Sequence, residues 1–381
     1  MRSRTSFFSS IDWWLLLPLL PILAGGLFTM ASFSSLGGGS HFFERQLMWI
    51  GVSLLACIFF SKLDTRFFKR TDVLVGLFSF FTLLLVLLFA FGHVANGAKS
   101  WFSVGGFSFQ PADFMKLVLV LVLAKYFSRR HVEIGYMKHI FISATYAFIP
   151  FVLIFLQPDF GSAIVIFLIW FGMVMVSGLS KRQLLSVGML GLVAGLGLWL
   201  FVFQDYQKAR IVNFIHPLTD VQGTGYNAFQ STIAVGSGQL FGKGIGFGTQ
   251  SRLEFLPEYE TDFIFAAFAE EWGFVGSLLI LLCYGIVIGR ILYVSMRGAS
   301  NFEMLYGLGL SIFFMSHMLV NIGMNIGLMP VTGIPLPFMS YGGSHLLIEM
   351  IGVGILMGMG RYTRAIHRDD VQKEYVGVGT V

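Results

Sequence analysis

Six of the chain's 20 acidic residues fall between Glu254 and Glu271, within and just before the stretch LPEYETDFIFAAFAEEWGFVG. Asp262 follows Thr261 and opens an apolar run at Phe263. A carboxylate at that point has two uses. It can accept backbone N–H bonds at a helix start, or it can take a proton as a general base. Glu254, Glu258 and Asp262 are four apart, so a helical turn would stack them on one face. Glu270 and Glu271 lie two turns deeper in an apolar segment, where ionised carboxylates need partners. A structural ion pair with a lysine or arginine is expected for both.

Other residues carry possible chemistry. Asp159 sits in QPDFGSA, where proline and aspartate make a helix start or a catalytic or metal-binding carboxylate. Asp113 and Lys116, in QPADFMKL, are three apart and share a helical face. Lys116 inside an apolar segment reads either as a paired structural charge or as a contact for a diphosphate. The run AVGSGQLFGKGIGFGTQ invites a phosphate-loop reading that fails. It gives G-x-x-x-G-K-G, one residue short and without the Ser or Thr that would reach magnesium. Its backbone N–H groups could still meet a phosphate. PVTGIPLPFMSYGGSHLL, with three prolines, reads as a rigid re-entrant turn able to line a cavity. Cys57 and Cys283 offer neither a disulfide framework nor metal-ligand spacing, and the histidines are scattered.

The elements that must hold these residues are membrane helices. Hydrophobic residues make up 56% of 381 and charged residues 12%. That excludes an ordinary soluble domain and implies an all-α, polytopic integral membrane protein. Apolar segments fall at 13–33, 46–62, 72–92, 112–128, 138–156, 160–178, 184–203, 263–290, 302–328 and 344–361, about ten crossings. Arg2 and Arg4 before the first segment fit an uncleaved first helix. With both termini cytoplasmic, 18 Lys and Arg residues lie inside and 6 outside, as the positive-inside rule requires. Residues 204–262 form one large extracytoplasmic loop. Its apolar patches Ile211–Ile215 and Phe229–Val235 suggest amphipathic or re-entrant pieces on the outer leaflet. Chemistry should therefore face outward. The reading is one transmembrane domain, 1–381, with no soluble domain and no visible repeat.

Five blocks in order resemble the SEDS family (shape, elongation, division and sporulation): NGAKSWFSVGGFSFQPADFMKL, QPDFGSA, RIVNFIHPLTDVQGTGYNAFQSTIAVGSGQLFGKG, LPEYETDFIFAAFAEEWGFVG and LMPVTGIPLPFMSYGGSHLL. Chain length and short termini look like the elongation branch rather than the division branch. The resemblance implies a peptidoglycan glycosyltransferase that polymerises lipid II on the outer face of the bacterial cytoplasmic membrane. It also implies a class B penicillin-binding protein as partner, with other elongation-complex membrane proteins and no nucleic acid. The family's essential aspartate falls on Asp262. Its other functional positions fall on Asp159, Lys116, Glu258, Arg210 and the SYGGS serine, Ser344. The family usually has Glu where this chain has Asp113, and Arg where Ser100 precedes Trp101. Lys99, one step earlier, would replace that Arg without its bidentate fork.

On this reading Asp262 is the base, with a nearly ordinary carboxylate pKa. Lys116, Arg210 and Lys243 are diphosphate contacts. A divalent cation, magnesium or manganese, is held by Asp159 or Asp113, and no organic cofactor is expected. Two other classes compete: a lipid II flippase, and a non-catalytic scaffold that recruits the penicillin-binding protein.

Overall fold

Apolar runs of about twenty residues can cross a bilayer only when every backbone group is satisfied internally, which makes them helices. The computed structural model describes residues 11–377, apart from 35–39, 96–97, 105–106, 130–136, 179–180, 204, 216–223, 253–254 and 257. Helices α1 (Trp13–Leu16) and α2 (Leu19–Ser34), parted at Pro18, make the first crossing. Then come α3 (Ser40–Lys62), α4 (Thr71–Phe91), α5 (Pro111–Ser128), α6 (Met137–Leu156), α7 (Phe160–Val176) and α8 (Lys181–Gly197). Among the described residues, eight helices are long and apolar enough to cross a membrane. Two more complete the ten: α7, which is shorter, and α5, which carries Asp113, Lys116 and Lys125 yet is buried among its neighbours.

The all-α expectation holds with one small addition. Between α4 and α5 the chain forms an antiparallel meander of β1 (His93–Ala95), β2 (Ala98–Val104) and β3 (Phe107–Phe109). Phe102 pairs with Phe109, and Ser103 with Ser108. Phe109 packs on Phe114 of α5, which stacks on Phe81 of α4, so aromatic contacts fix the sheet to the bundle.

Both apolar patches of the long segment after α8 lie in helices. Ile211–Ile215 ends α9 (Asp205–Ile215), and Phe229–Val235 lies in α10 (Thr224–Ser237). A single turn, α11 (Thr249–Arg252), follows. The last three helices are α12 (Ile264–Met296), α13 (Asn301–Asn325) and α14 (Gly343–Gly377). Helix α14 packs along α3, where Gly354 lets the backbones close in: a Cβ there would sit 2.5 Å from the Cys57 carbonyl oxygen. Small residues drive such contacts in lipid, where burial of apolar surface supplies no force.

Helix α12 is not continuous. At Gly273 the backbone takes φ 68°, ψ −166°, which splits it into Ile264–Trp272 and Phe274–Met296. The glycine-rich run fills the gap. Lys243 and Gly244 N–H donate to the carbonyls of Glu270 and Glu271, while Phe274 and Val275 N–H donate to those of Gln239 and Leu240. A Cβ at Gly273 would lie 2.2 Å from the Gly242 nitrogen, so only glycine permits this approach.

Candidate active site

Asp262 sits at the entrance to the upper half of α12, but it is not a cap. The residue at the N-cap position is Phe263, with no side-chain cap bond. Among the described residues the Asp262 carboxylate makes no hydrogen bond, and only its backbone is fastened. Its N–H donates to the Glu258 carbonyl at 3.1 Å. Its carbonyl accepts from Asn321 Nδ2 at 2.9 Å and Asn325 Nδ2 at 3.0 Å. Both asparagines are fully buried on α13. Each makes a further bond to this region. Asn321 also donates to the Ile334 carbonyl, and Asn325 Oδ1 accepts the Ala266 N–H.

The loop between α13 and α14 closes round the same point. Ser340 Oγ donates to the Thr261 carbonyl at 2.6 Å, and Tyr341 N–H to that of Glu260 at 2.8 Å. Gly333 (φ +74°) faces Asp262, and a Cβ there would be in ordinary van der Waals contact, 3.5 Å from Oδ2. A Cβ at Gly161 would lie 2.6 Å from the Thr332 carbonyl oxygen. The start of α7 is thereby brought to this loop, and Asp159 into electrostatic reach of Asp262. Asp159 caps α7 by accepting Ser162 N–H at 3.0 Å, and Gln110 Nε2 donates to it at 2.8 Å. The two Gln-Pro motifs, far apart in sequence, thus meet here.

The electrostatics of Asp262 follow from this packing. Burial pushes its pKa up from 3.8 to about 7, and the negative charge of Glu258 adds to the effect. Asp159 and Glu260 act the same way, while Arg210 opposes them. Burial, with Glu258 beside it, also raises Glu260. The ordinary pKa expected for Asp262 is therefore not what the fold provides. An acid half-titrated near neutrality is well matched to proton abstraction. Glu258 does not share a helical face with Asp262. It has φ +49° and begins a set of turns, and Glu254 lies outside the described residues.

Arg210 lines a cleft of about 200 Å³ together with Asn213, Phe214, Phe229, Met329 and Val331. The lining is mostly apolar, with Arg210 as a cation within it.

Five other predicted residues, Lys116, Asp113, Lys243, Lys99 and Ser344, lie away from this carboxylate group. Lys116 pairs with Asp113 at 2.9 Å and is 1% exposed. His345 Nδ1 lies 3.4 Å from Asp113, and its Nε2 lies 2.9 Å from Glu349. Glu349 in turn accepts Phe338 N–H, and His317 Nδ1 meets the Pro335 carbonyl. This buried polar cluster reaches the Asp262 segment through residues 331–341. Lys243 is committed to Glu270 at 2.7 Å, the ion pair expected for that glutamate. Glu271 has no lysine or arginine in reach among the described residues and accepts Gly246 N–H instead. Lys99 Nζ donates to the Phe89 carbonyl at the end of α4, and neighbouring Ser100 is buried. Of the two SYGGS serines, Ser340 is tied to the site. Ser344 is buried, and its hydroxyl has no hydrogen-bond partner among the described residues.

Among the described residues no group of three or more His, Cys, Asp or Glu side chains is arranged to hold a metal ion. Asp113 is paired with Lys116 and faces His345, and so does not fit the metal role. Asp159 and Glu258 lie beside Asp262, and one or two carboxylates suffice where substrate phosphates complete a magnesium shell.

Sequence reasoning missed Asn321, Asn325 and Ser340. The asparagine pair did leave a signal: two amides spaced i, i+4 in an apolar helix must share a face and find partners.

Long apolar helices that bring Glu258, Glu260, Asp159 and Arg210 into electrostatic reach of Asp262 define a multi-pass membrane protein with an acidic site. The chain matches the family model described as cell cycle protein, FtsW/RodA/SpoVE, over residues 6–365, and it belongs to that family. It is 38% identical over 329 residues to stage V sporulation protein E of Bacillus subtilis, covering 85% of this chain and 88% of that one. It is 36% identical over 359 residues to peptidoglycan glycosyltransferase MrdB of Escherichia coli, covering 94% and 95%. A solved structure titled for coordination of polymerization and crosslinking by a peptidoglycan synthase complex matches with TM-score 0.79 at 29% identity, over 92% of this chain and 98% of that one. The crystal structure of Thermus thermophilus rod shape determining protein RodA matches with TM-score 0.68 at 29% identity, covering 92% and 96%.

Proposed function

We propose that the protein is a peptidoglycan glycosyltransferase that polymerises lipid II at the outer face of the bacterial cytoplasmic membrane, with both termini inside. The observation that carries this is Asp262: a carboxylate with no hydrogen-bond partner among the described residues, a pKa near 7, and a backbone fixed by two buried asparagines. The names of the relatives support the activity.

In the reaction, Asp262 takes the proton from the 4-hydroxyl of the acceptor sugar. That oxygen attacks the donor's anomeric carbon from the face opposite the leaving group. The bond to the diphosphate breaks, its electron pair leaves with undecaprenyl diphosphate, and configuration inverts. Arg210 stabilises the departing charge, and the apolar cleft receives the lipid. Asp159 and Glu258 are the residues that would hold a magnesium or manganese ion, which would supply charge neutralisation at the diphosphate. Lys116 and Lys243 serve the scaffold, since both are paired internally. A class B penicillin-binding protein is the expected partner, an assignment supported by the synthase-complex neighbour.

The test is reconstitution of the protein with labelled lipid II, with and without the partner, comparing wild type with Asp262→Asn. A glycan ladder that disappears in a folded variant supports the reading. A ladder in both removes Asp262 as the base. No ladder in either, with lipid II crossing the vesicle membrane, makes the protein a flippase. Partner binding without either activity makes it a scaffold.

A further inference from the structure

The segment Gly238–Gly248 replaces a piece of helix, and its outward face has a chemistry of its own. Four backbone hydrogen bonds join it to the broken ends of α12. Its one charged residue, Lys243, turns to Glu270, which also accepts the N–H groups of Thr249 and Gln250. With its charge and much of its backbone committed inward, the segment presents Leu240, Phe241, Ile245 and Phe247 outward. Phe241 is 81% exposed and Phe247 66%.

These four side chains adjoin the exposed apolar face of a helix long and apolar enough to cross a membrane. Phe274, Val275, Leu278, Leu279 and Leu282 of α12 are also exposed, on a helix that crosses the membrane. Phe274–Met296 alone rises roughly 34 Å at about 1.5 Å per residue, enough for the hydrocarbon core. The break at Gly273 therefore lies where hydrocarbon meets headgroups, on the side of Asp262. Aromatic and aliphatic side chains at that level are the composition of an interfacial anchor.

We propose that Gly238–Gly248 is a lipid-immersed anchor, with Leu240, Phe241, Ile245 and Phe247 set among the upper acyl chains of the leaflet on the Asp262 side. Through its bonds to residues 270–275 it sets the height of the half-helix Ile264–Trp272, and so of Asp262, above the bilayer.

The experiment places a nitroxide at Phe241→Cys, and separately at Phe247→Cys, in full-length protein carrying Cys57→Ala and Cys283→Ala. The protein is held in nanodiscs of phosphatidylethanolamine and phosphatidylglycerol. Leu279→Cys gives the lipid-facing reference and Asp64→Cys the aqueous one. The anchor predicts oxygen collision rates matching Leu279→Cys and rates with a water-soluble nickel chelate several-fold below Asp64→Cys. Chelate access equal to Asp64→Cys would overturn it and place the loop in water. Low access to both reagents would overturn it in favour of a protein contact, a second copy or a partner. Phe241→Trp and Phe247→Trp in the native-cysteine protein give an independent reading. Their added emission should be quenched by lipids brominated on the upper acyl chain, and no quenching would refute lipid contact.

Discussion

Asn325 holds Asp262 by the backbone: its amide nitrogen donates to the Asp262 carbonyl at 3.0 Å, while its amide oxygen accepts the Ala266 N–H at 3.1 Å. One buried side chain thus fixes both the position of the carboxylate and the direction of the helix behind it. Replacing Asn325 with Leu strands those groups, at a cost of about 1–3 kcal/mol. The expected result is a turnover loss of roughly ten- to a hundred-fold through displacement of the base, with the activity–pH profile shifted as the surroundings of Asp262 change. An active variant with an unchanged profile would leave Asn325 a purely structural residue.

The raised pKa of Asp262 gives two pH dependences of opposite benefit. As a base it must be ionised, so polymerisation should rise with pH through a limb near 7. For stability the sign reverses. The fold favours the protonated form, so wild type loses stability as pH climbs from about 4 to 7 and no more above that. Asp262→Asn removes this cost. It should melt higher than wild type at pH 8, and the gap should close near pH 4. Thermal melts of both proteins across this range check the prediction; equal melting at pH 8 would show an ordinary carboxylate.

Lys116 and Asp113 form a buried pair, and removing one partner strands a charge. Lys116→Met should destabilise the protein by about 3–5 kcal/mol. The double variant Lys116→Met, Asp113→Leu should recover part of it. A double-mutant cycle read by denaturation in detergent measures the coupling. Normal stability in Lys116→Met with weakened lipid II binding would restore the direct diphosphate role.

Lys243 gives a contrast between the two readings of the glycine-rich run. With its ammonium on Glu270, Lys243→Met should loosen the loop and lower the melting temperature. Adding Glu270→Gln should partly rescue it, and the KM for lipid II should be unchanged. A raised KM with normal melting would make Lys243 a substrate contact.

Gly273→Ala tests the break itself. The new methyl meets the Gly242 nitrogen, and the backbone must keep φ +68°. Both effects oppose the native geometry. Lost expression or a much lower melting temperature is expected, and wild-type stability would mean that α12 can run straight.

The ten crossings were legible because hydropathy over twenty residues reports directly on the solvent. Asp262 was legible because a carboxylate at a membrane entrance is costly. What decides its chemistry was not. Glu258 and Asp159 act on it through space, and the latter arrives through the close approach of Gly161 to Thr332, which no spacing rule encodes. Lys243 was assigned to substrate because a lysine among glycines resembles a phosphate cradle. Its partner, Glu270, lies 27 positions on and emerges only when the broken helix is seen. The meander at 93–109 escaped because its strands are too short to alternate over a measurable period.

The closure of the loop 330–341 on Thr261 and Glu260 bears on how the protein is made. Gln46 also reaches this loop, donating to the Ser340 carbonyl at 3.1 Å, so the site joins the second crossing to the chain leading into the last. A ribosome feeding this chain into the membrane lays down Asp262 well before Ser340 and Glu349 exist. Until they emerge, nothing ties residues 260–261 to the loop before α14, and the aspartate lacks its final setting. Competence is thus deferred to the end of synthesis, and a prematurely terminated chain carries the proposed base without its final setting.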